Sequence, residues 1–293
     1  MELNKLGVWY FLDGMPSNMA AETAKRIESL GYDTLWIPET AGRDPYASAS
    51  WLLANTEKLN VATGIASIYH REPGVTVAGQ KTLAEQSGDR FLLALGVSHQ
   101  QFVEGVRKIT YGKPVTTMRK YLNAMDEAPY MAFPPATEPK RLIAALGPRM
   151  LELARDKCAG AHPYFTSPKH TKMARDILGP DALLCVEQKV LLEADADVAR
   201  KAARVVASVY MGLPNYRNNW LRMGLNESDF ENGGSDKFID ETFAWGNLEQ
   251  VQNRIEEHYA AGADHVCIQP VNPNAQFGDL DWNALEQLSP NAN

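Results

Sequence analysis

The sequence predicts an α/β fold, a (β/α)8 barrel with insertions, from three observations. Eight short β-rich runs alternate with amphipathic stretches along 293 residues, and each run ends at a Gly, Pro or polar residue, as in a βα series. LGYDTLWI and AGADHVCI each carry a helix-ending glycine, Gly31 and Gly262, that feeds straight into the next strand. No Gly-x-Gly-x-x-Gly follows the first run, so an open dinucleotide-binding sheet lacks its phosphate turn.

The strands are read near 5–11, 33–37, 59–65, 91–95, 141–145, 159–163, 183–192 and 265–269. Helical patterns fall at about 18–30, 45–56, 74–87, 115–127, 148–157, 168–178, 195–211 and 247–261, with a closing helix near 281–288. Ser167-Pro168 places an N-cap before a proline at the first helical position, and Asn247 with Gln250 forms a capping-box pattern. The chain therefore reads as one barrel domain over 1–293, interrupted by an Asn-, Gly- and Asp-rich insertion at about 212–240 that is too long for an ordinary connection.

Net charge is −7, which argues against nucleic acid, whose binding needs extensive phosphate neutralisation. No apolar run reaches membrane-spanning length, and Met1–Lys5 leads into a strand and not into a signal-peptide core. Cys158, Cys185 and Cys267 are odd in number and far apart, which suits reduced thiols and a cytoplasmic setting. His265 and Cys267 lie two apart on the last strand with no second ligand pair, so they read as packing and no metal is expected.

The most informative segment is Leu142-Ile143-Ala144-Ala145-Leu146-Gly147-Pro148-Arg149-Met150, a strand that enters a helix through Gly-Pro. Glycine lets a ligand approach bare N–H groups, Pro148 suits the first turn because it has no N–H, and the helix dipole favours an anion there. From Lys140 to Arg175 eight basic residues stand against only Glu152 and Asp156, which suggests a basic rim for a polyanionic small molecule.

In such barrels chemistry sits at the C-terminal strand ends. Glu39 after the second strand is a candidate proton donor or acceptor, or a partner for Arg43. Gly64-Ile65 after the third marks a place where backbone is exposed to the pocket, and His70, Tyr69 and Arg71 follow. After the fourth come Gly96, Val97, Ser98 and His99, small residues that suit a flat ligand, with His99 either functional or a helix cap. No Gly-x-Ser-x-Gly, Walker or His-Glu-x-x-His motif appears. The mouth suits a bound organic cofactor and a small-molecule substrate.

The motifs GYDTLWIPETAGRDPYASASWLLANT, NVATGIASIYHREP, QKTLAEQSGDRFLLALGVSH, LGPRMLELARDKCAGAHPYFTSPKHT and GADHVCIQPV together resemble the luciferase-like superfamily. More closely, they are similar to its branch of coenzyme F420 (deazaflavin)-dependent oxidoreductases of actinobacterial type. The resemblance implies a TIM barrel, usually a homodimer, and a non-prolyl cis peptide that falls on Gly64-Ile65. It places Gly96, Val97 and Ser98 along the deazaflavin ring, with Ala145, Leu146, Gly147, Pro148, Arg149 and Met150 on the phosphate. His162 would lie near that phosphate end, and the basic stretch would face the oligoglutamate tail.

The implied chemistry is hydride transfer at deazaflavin C5, with a neighbouring acid or base handling any proton. Relatives that act on sugar phosphates and alcohols have a His after the acidic residue of strand two and a Glu after strand four. Glu39-Thr40 and Ser98-His99-Gln100 stand there in this chain. The catalytic candidates are therefore Glu39, His70 and His99. The alternatives are an FMN-dependent monooxygenase of the same superfamily and a non-catalytic flavin or deazaflavin carrier.

Overall fold

The computed structural model describes residues 3–273 and 279–292. Eight parallel strands close into a barrel: β1 (Leu6–Trp9), β2 (Thr34–Ile37), β3 (Asn60–Thr63), β5 (Phe91–Gly96), β6 (Arg141–Ile143), β7 (Gly160–Ala161), β8 (Leu183–Leu192) and β10 (His265–Pro270). Closure runs through β10, which pairs with β1 at Gly7↔Cys267 and with β8 at Cys267↔Glu187. Two short strands are additional. β4 (Ala66–Ser67) pairs with the end of β5, and β9 (Phe243–Gly246) pairs with the upper half of β8.

The strand alternation explains the closure. Trp9, Trp36, Ala62, Leu92, Ala94, Leu142, Cys185 and Cys267 form one buried cluster inside the barrel, while their neighbours Val8, Leu35, Val61, Leu93 and Ile143 belong to the layer beneath the helices. The strands thus bury both faces, as a sheet covered by helices requires. The outer ring comprises α1 (Ser17–Ser29), α2 (Pro45–Ala54), α3 (Pro73–Ser87), α5 (Pro114–Glu127), α6 (Pro148–Lys157), α7 (Pro168–Leu178), α8 (Ala196–Met211) and α11 (Leu248–Ala260), with α12 (Trp282–Gln287) closing the chain.

Local signals hold with two adjustments. Asn247 and Gln250 form the capping box reciprocally, and Gly31 and Gly262 take φ of 86° and 103°. Ser167 is the N-cap of α7, but its side chain makes no cap bond. A short helix, α4 (Gln100–Gly105), follows β5 where the sequence reading had none. Between α8 and β9 lie α9 (Pro214–Arg222), a 3-10 turn (Glu227–Phe230) and α10 (Asp236–Thr242), packed around Phe165, Trp220 and Phe238 in a cluster of their own.

Candidate active site at the barrel mouth

At the ends of β3 and β5 the backbone forms a wall almost free of side chains. The Gly64–Ile65 peptide is cis. A Cβ on Gly64 would fall 2.4 Å from Trp9 Nε1, so the indole requires glycine there, and one on Gly96 would fall 2.3 Å from Ile65 Cδ1 and displace that side chain. Ser67 pairs with Gly96 in the β4–β5 ladder, which brings the Gly64–Ile65 peptide beside Gly96 and the Val97-Ser98 segment that follows it. Val97 and Ser98 are partly exposed, and Ser98 adopts φ 53°.

Glu39, His70 and Arg71 form one cluster beside that wall. Arg71 Nη1 lies 2.8 Å from Glu39 Oε1, the Ser67 N–H donates to Glu39 Oε2 at 2.7 Å, and His70 Nδ1 lies 3.0 Å from Oε1. The Glu39 side chain is only 5% exposed. Arg71 also grips Asp44 and lies 4.6 Å from the Tyr46 ring centroid, and these carboxylates hold its guanidinium charged against the burial that opposes charge. The expected Arg43 partner is not used, because Arg43 donates to Ser17 Oγ and the Met15 carbonyl. His99 stands apart as the N-cap position of α4. Its Nδ1 lies 3.2 Å from Asn215 Oδ1 of α9, and burial lowers its pKa.

Gly147 is the N-cap of α6, with Pro148 at the first position and no side-chain cap. Pro148 has no N–H and the Met150 N–H donates to the Gly147 carbonyl at 3.1 Å, so Arg149 supplies the first-turn N–H left for an external acceptor. Ala145 and Met150 turn their side chains into the core, and Gly147 and Arg149 lie at the surface side. Among the described residues beyond its chain neighbours, the one atom within 4 Å of a Cβ built on Gly147 is Arg222 Nη2, at 3.8 Å. Arg222 Nη1 donates to Asn219 Oδ1, and the Asn219 Nδ2 donor is buried without a protein partner. Below, His170 Nε2–H donates to the Leu146 carbonyl at 2.9 Å, and burial pushes its pKa down to about 4. The Arg149 N–H and the Arg222 guanidinium beside Gly147 are a donor pair that fits an anionic phosphate.

Two expectations about this region are corrected. Most of the basic stretch from Lys140 to Arg175 is not a rim: Arg141 and Lys157 pair with Asp126, Arg155 with Asp156, Lys172 with Asp176 and Arg175 with Asp264, while Arg149 and Lys169 stand in the first turns of α6 and α7. Arg141 sits on a strand start and Arg155, Lys157 and Arg175 in the last turns of their helices, which a βα barrel directs away from the mouth. The cation beside Gly147 comes instead from α9. His162 does not lie at the anion end either. It stacks on Trp36 with ring centroids 4.3 Å apart, its Nδ1–H donates to the Cys185 carbonyl at 2.9 Å, and its Nε2 faces Gly64 inside the barrel. Burial holds its pKa down to about 4, so it is neutral and Nε2 is an acceptor.

The sequence reading missed a polar and aromatic wall opposite Gly64. Lys189 and Glu187 pair at 3.2 Å with no exposure, and Lys189 Nζ lies 3.8 Å from the Tyr164 ring centroid. Burial lowers the Lys189 pKa to about 8 and raises that of Glu187. The Tyr164 hydroxyl donates to Gln269 Oε1 at 2.8 Å and meets the Tyr210 hydroxyl at 2.7 Å. The signal available in sequence was Glu187 and Lys189 at spacing two inside an apolar strand, which puts both on one face. Arg222 gave no comparable signal.

Comparisons agree with this architecture. A putative coenzyme F420-dependent oxidoreductase of Mycobacterium tuberculosis is 24% identical, over 90% of this chain and 93% of that protein. A 5,10-methylenetetrahydromethanopterin reductase of Archaeoglobus fulgidus is 26% identical, over 85% of this chain and 89% of that protein. Among solved structures, an F420-dependent secondary alcohol dehydrogenase holding an F420–acetone adduct superposes with a TM-score of 0.76 at 18% identity, covering 100% of both chains. The oxygenating constituent of 3,6-diketocamphane monooxygenase from Pseudomonas putida, with FMN, gives 0.73 at 14% identity, covering 98% of this chain and 97% of that one. The luciferase-like monooxygenase family model matches residues 4–265, and the chain belongs to that family.

Proposed function

We propose that this protein is a coenzyme F420-dependent oxidoreductase that moves a hydride between deazaflavin C5 and a small organic substrate. The observation that carries this reading is the pairing of a side-chain-free wall at Gly64 and Gly96 with a donor-lined helix start at Gly147 and Arg222. A flat tricycle needs the first, and the phosphate of its side arm needs the second. The names of the mycobacterial and archaeal relatives support deazaflavin as the occupant.

When bound, deazaflavin supplies a carbon that gives or accepts hydride. The chain's own residues bind and orient it: Gly64, Ile65, Gly96, Val97 and Ser98 on the ring side, and the Gly147–Arg149 backbone with Arg222 at the anion. Glu39 and His70 stand beside the ring wall, where Arg71 fixes the carboxylate. His99 lies farther out, beneath α9.

Anaerobic incubation with reduced F420 and a panel of ketones, enones and nitroaromatics tests the reading, with reoxidised F420 as the expected product. A second reading, FMN-dependent oxygenation, is favoured by the FMN-bound structure of the same fold. Oxygen uptake with reduced FMN and none of the F420 turnover would select it.

The protein acts as a homodimer in this proposal. Met19, Trp51 and Val75 are 55%, 45% and 58% exposed on the adjoining helices α1, α2 and α3, and a second copy would cover them. Sedimentation at one protomer mass would remove that part. A cytoplasmic location accords with the three free cysteines. Among the described residues no helix is long and apolar enough to cross a membrane.

A further inference from the structure

We propose that the substrate carries an anionic group, a carboxylate or a phosphate, and that Arg107 receives it at the rim beside Glu39 and His70. This rests on the oxidoreductase reading above and adds a specificity-determining residue to that same site. Between Val106 and Lys120 the chain places Arg107, Lys108, Lys113, Arg119 and Lys120 with no Asp or Glu, within a protein of net charge −7. All five are exposed, and among the described residues none of them forms an ion pair. Unlike Arg141 and Arg175, which spend their charge on Asp126 and Asp264, these cations keep their field for a ligand.

The segment is fastened at the mouth. The Gly112 N–H donates to the Tyr69 hydroxyl at 2.9 Å, the Tyr69 and Tyr111 rings stack with centroids 5.4 Å apart, and the Ile109 N–H donates to the Val103 carbonyl at 3.0 Å. Arg107 itself is aimed by two contacts. Its Nη2 donates to the Thr40 carbonyl at 3.0 Å, and its guanidinium lies 5.6 Å from the Phe102 ring centroid. Thr40 directly follows Glu39, and the Phe102 and His70 ring centroids are 6.2 Å apart, so the guanidinium stands next to the Glu39–His70 cluster. The acidic groups of that region are already engaged, Glu39 and Asp44 by Arg71, and Asp13 by the Thr40 hydroxyl and the Arg43 N–H. Among the described residues, the Arg107 Nε and Nη1 donors have no acceptor, which leaves a planar fork that suits a carboxylate or a phosphate. This anion is not the one seated at Gly147, because Arg107 reaches the end of β2 whereas Gly147 follows β6, with β3 and β5 between them. A neutral substrate gains nothing from this cation, and a basic one is repelled.

The test titrates benzoate and its neutral isostere benzamide into the F420-loaded protein, read by the amide NMR signals of residues 107–113, for wild type, Arg107→Gln and Arg107→Lys. Arg107 is exposed and its replacement leaves the Tyr69–Gly112 fastening in place, so both variants should keep the wild-type melting temperature, and F420 affinity within about twofold. Wild type should bind benzoate saturably and about tenfold or more tighter than benzamide, Arg107→Gln should bring the two within about twofold, and Arg107→Lys should keep part of the preference through its charge. Benzoate bound no more tightly than benzamide by wild type, or a preference that survives Arg107→Gln, overturns the proposal. Loading wild type with F420 that bears no glutamate, and then with F420 that bears several, separates two sources of carboxylate. An equal benzoate preference in both supports the substrate, whereas a preference that disappears with the long tail gives Arg107 to the cofactor and overturns the assignment. Failure of wild type to bind F420 instead sinks the oxidoreductase reading, and the benzoate preference of the cofactor-free protein then decides the role of Arg107.

Discussion

The indole N–H of Trp9 donates to the carbonyl oxygen of Gly64 across 3.0 Å. One inward-facing residue of β1 thereby holds the backbone at the end of β3, and the same indole occupies the space that a Gly64 side chain would need. Gly64→Ala is expected to destabilise the protein by about 2 kcal/mol through overpacking. In a Trp9→Phe background, which removes the clashing nitrogen, the same change should cost about 1 kcal/mol less. Urea unfolding of the four proteins measures this coupling, and strictly additive effects would contradict it.

Glu39 is a buried carboxylate that accepts from a main-chain amide and from Arg71. Glu39→Gln leaves Arg71 with Asp44 alone, and removing one member of a buried pair costs about 3 kcal/mol. Thermal unfolding should fall by roughly 5–10 °C. Unchanged stability together with lost turnover would instead make Glu39 a proton carrier with little part in the fold.

Burial lowers the pKa of His99, His162, His170, His258 and His265, and three of them couple stability to pH most strongly. Burial lowers His162 and His170 to about 4 and His258 to about 3. An unfolded histidine titrates near 6.5, so between about pH 6.5 and 4 the unfolded chain binds more protons than the folded one. Stability is therefore full above about pH 6.5 and lost as pH falls through that window, by on the order of 1–2 kcal/mol per histidine at pH 5. Urea unfolding at pH 7.5 and pH 5 should show this loss, and His162→Gln should reduce it by one histidine's share. Equal stability at both pH values would refute the neutral, buried assignment.

Arg222 supplies the cation nearest Gly147, and its side chain is exposed on α9. Arg222→Ala should weaken binding of the F420 anion by about 1.5–3 kcal/mol, the range of a charge-assisted hydrogen bond. Melting temperature should change little. Raising salt should narrow the gap between variant and wild type, because exposed charges are screened. An affinity for F420 that is the same with and without Arg222 would place the anion elsewhere.

Much of this was legible because barrel strands are written locally. Phe91–Gly96 is apolar on both faces, His265–Pro270 follows a helix-ending glycine, and Gly147-Pro148 marks a helix start by its own chemistry. The third strand was read through residue 65, yet β3 ends at Thr63 and the chain resumes as β4 at Ala66. β9 escaped notice because four residues, Phe243–Gly246, directly follow a helix and gain their pairing from β8. The basic stretch misled for the same reason. Its partners Asp126 and Asp264 are distant in sequence, and only the closed barrel brings Arg141 and Arg175 to them. Arg222 reaches Gly147 through the packing of Trp220 and Phe165, which composition does not encode.

The most direct test of the anion seat is a titration of F420 and of FMN into the purified protein and into Gly147→Val. Among the described residues beyond its chain neighbours, a Gly147 Cβ meets just the movable end of Arg222, so the variant should fold normally. Wild type should bind F420 saturably and FMN at least tenfold more weakly, with F420 affinity falling about tenfold or more in the variant, a loss of about 1.4 kcal/mol. F420 affinity that survives Gly147→Val intact, in a protein of unchanged melting temperature, would contradict the account.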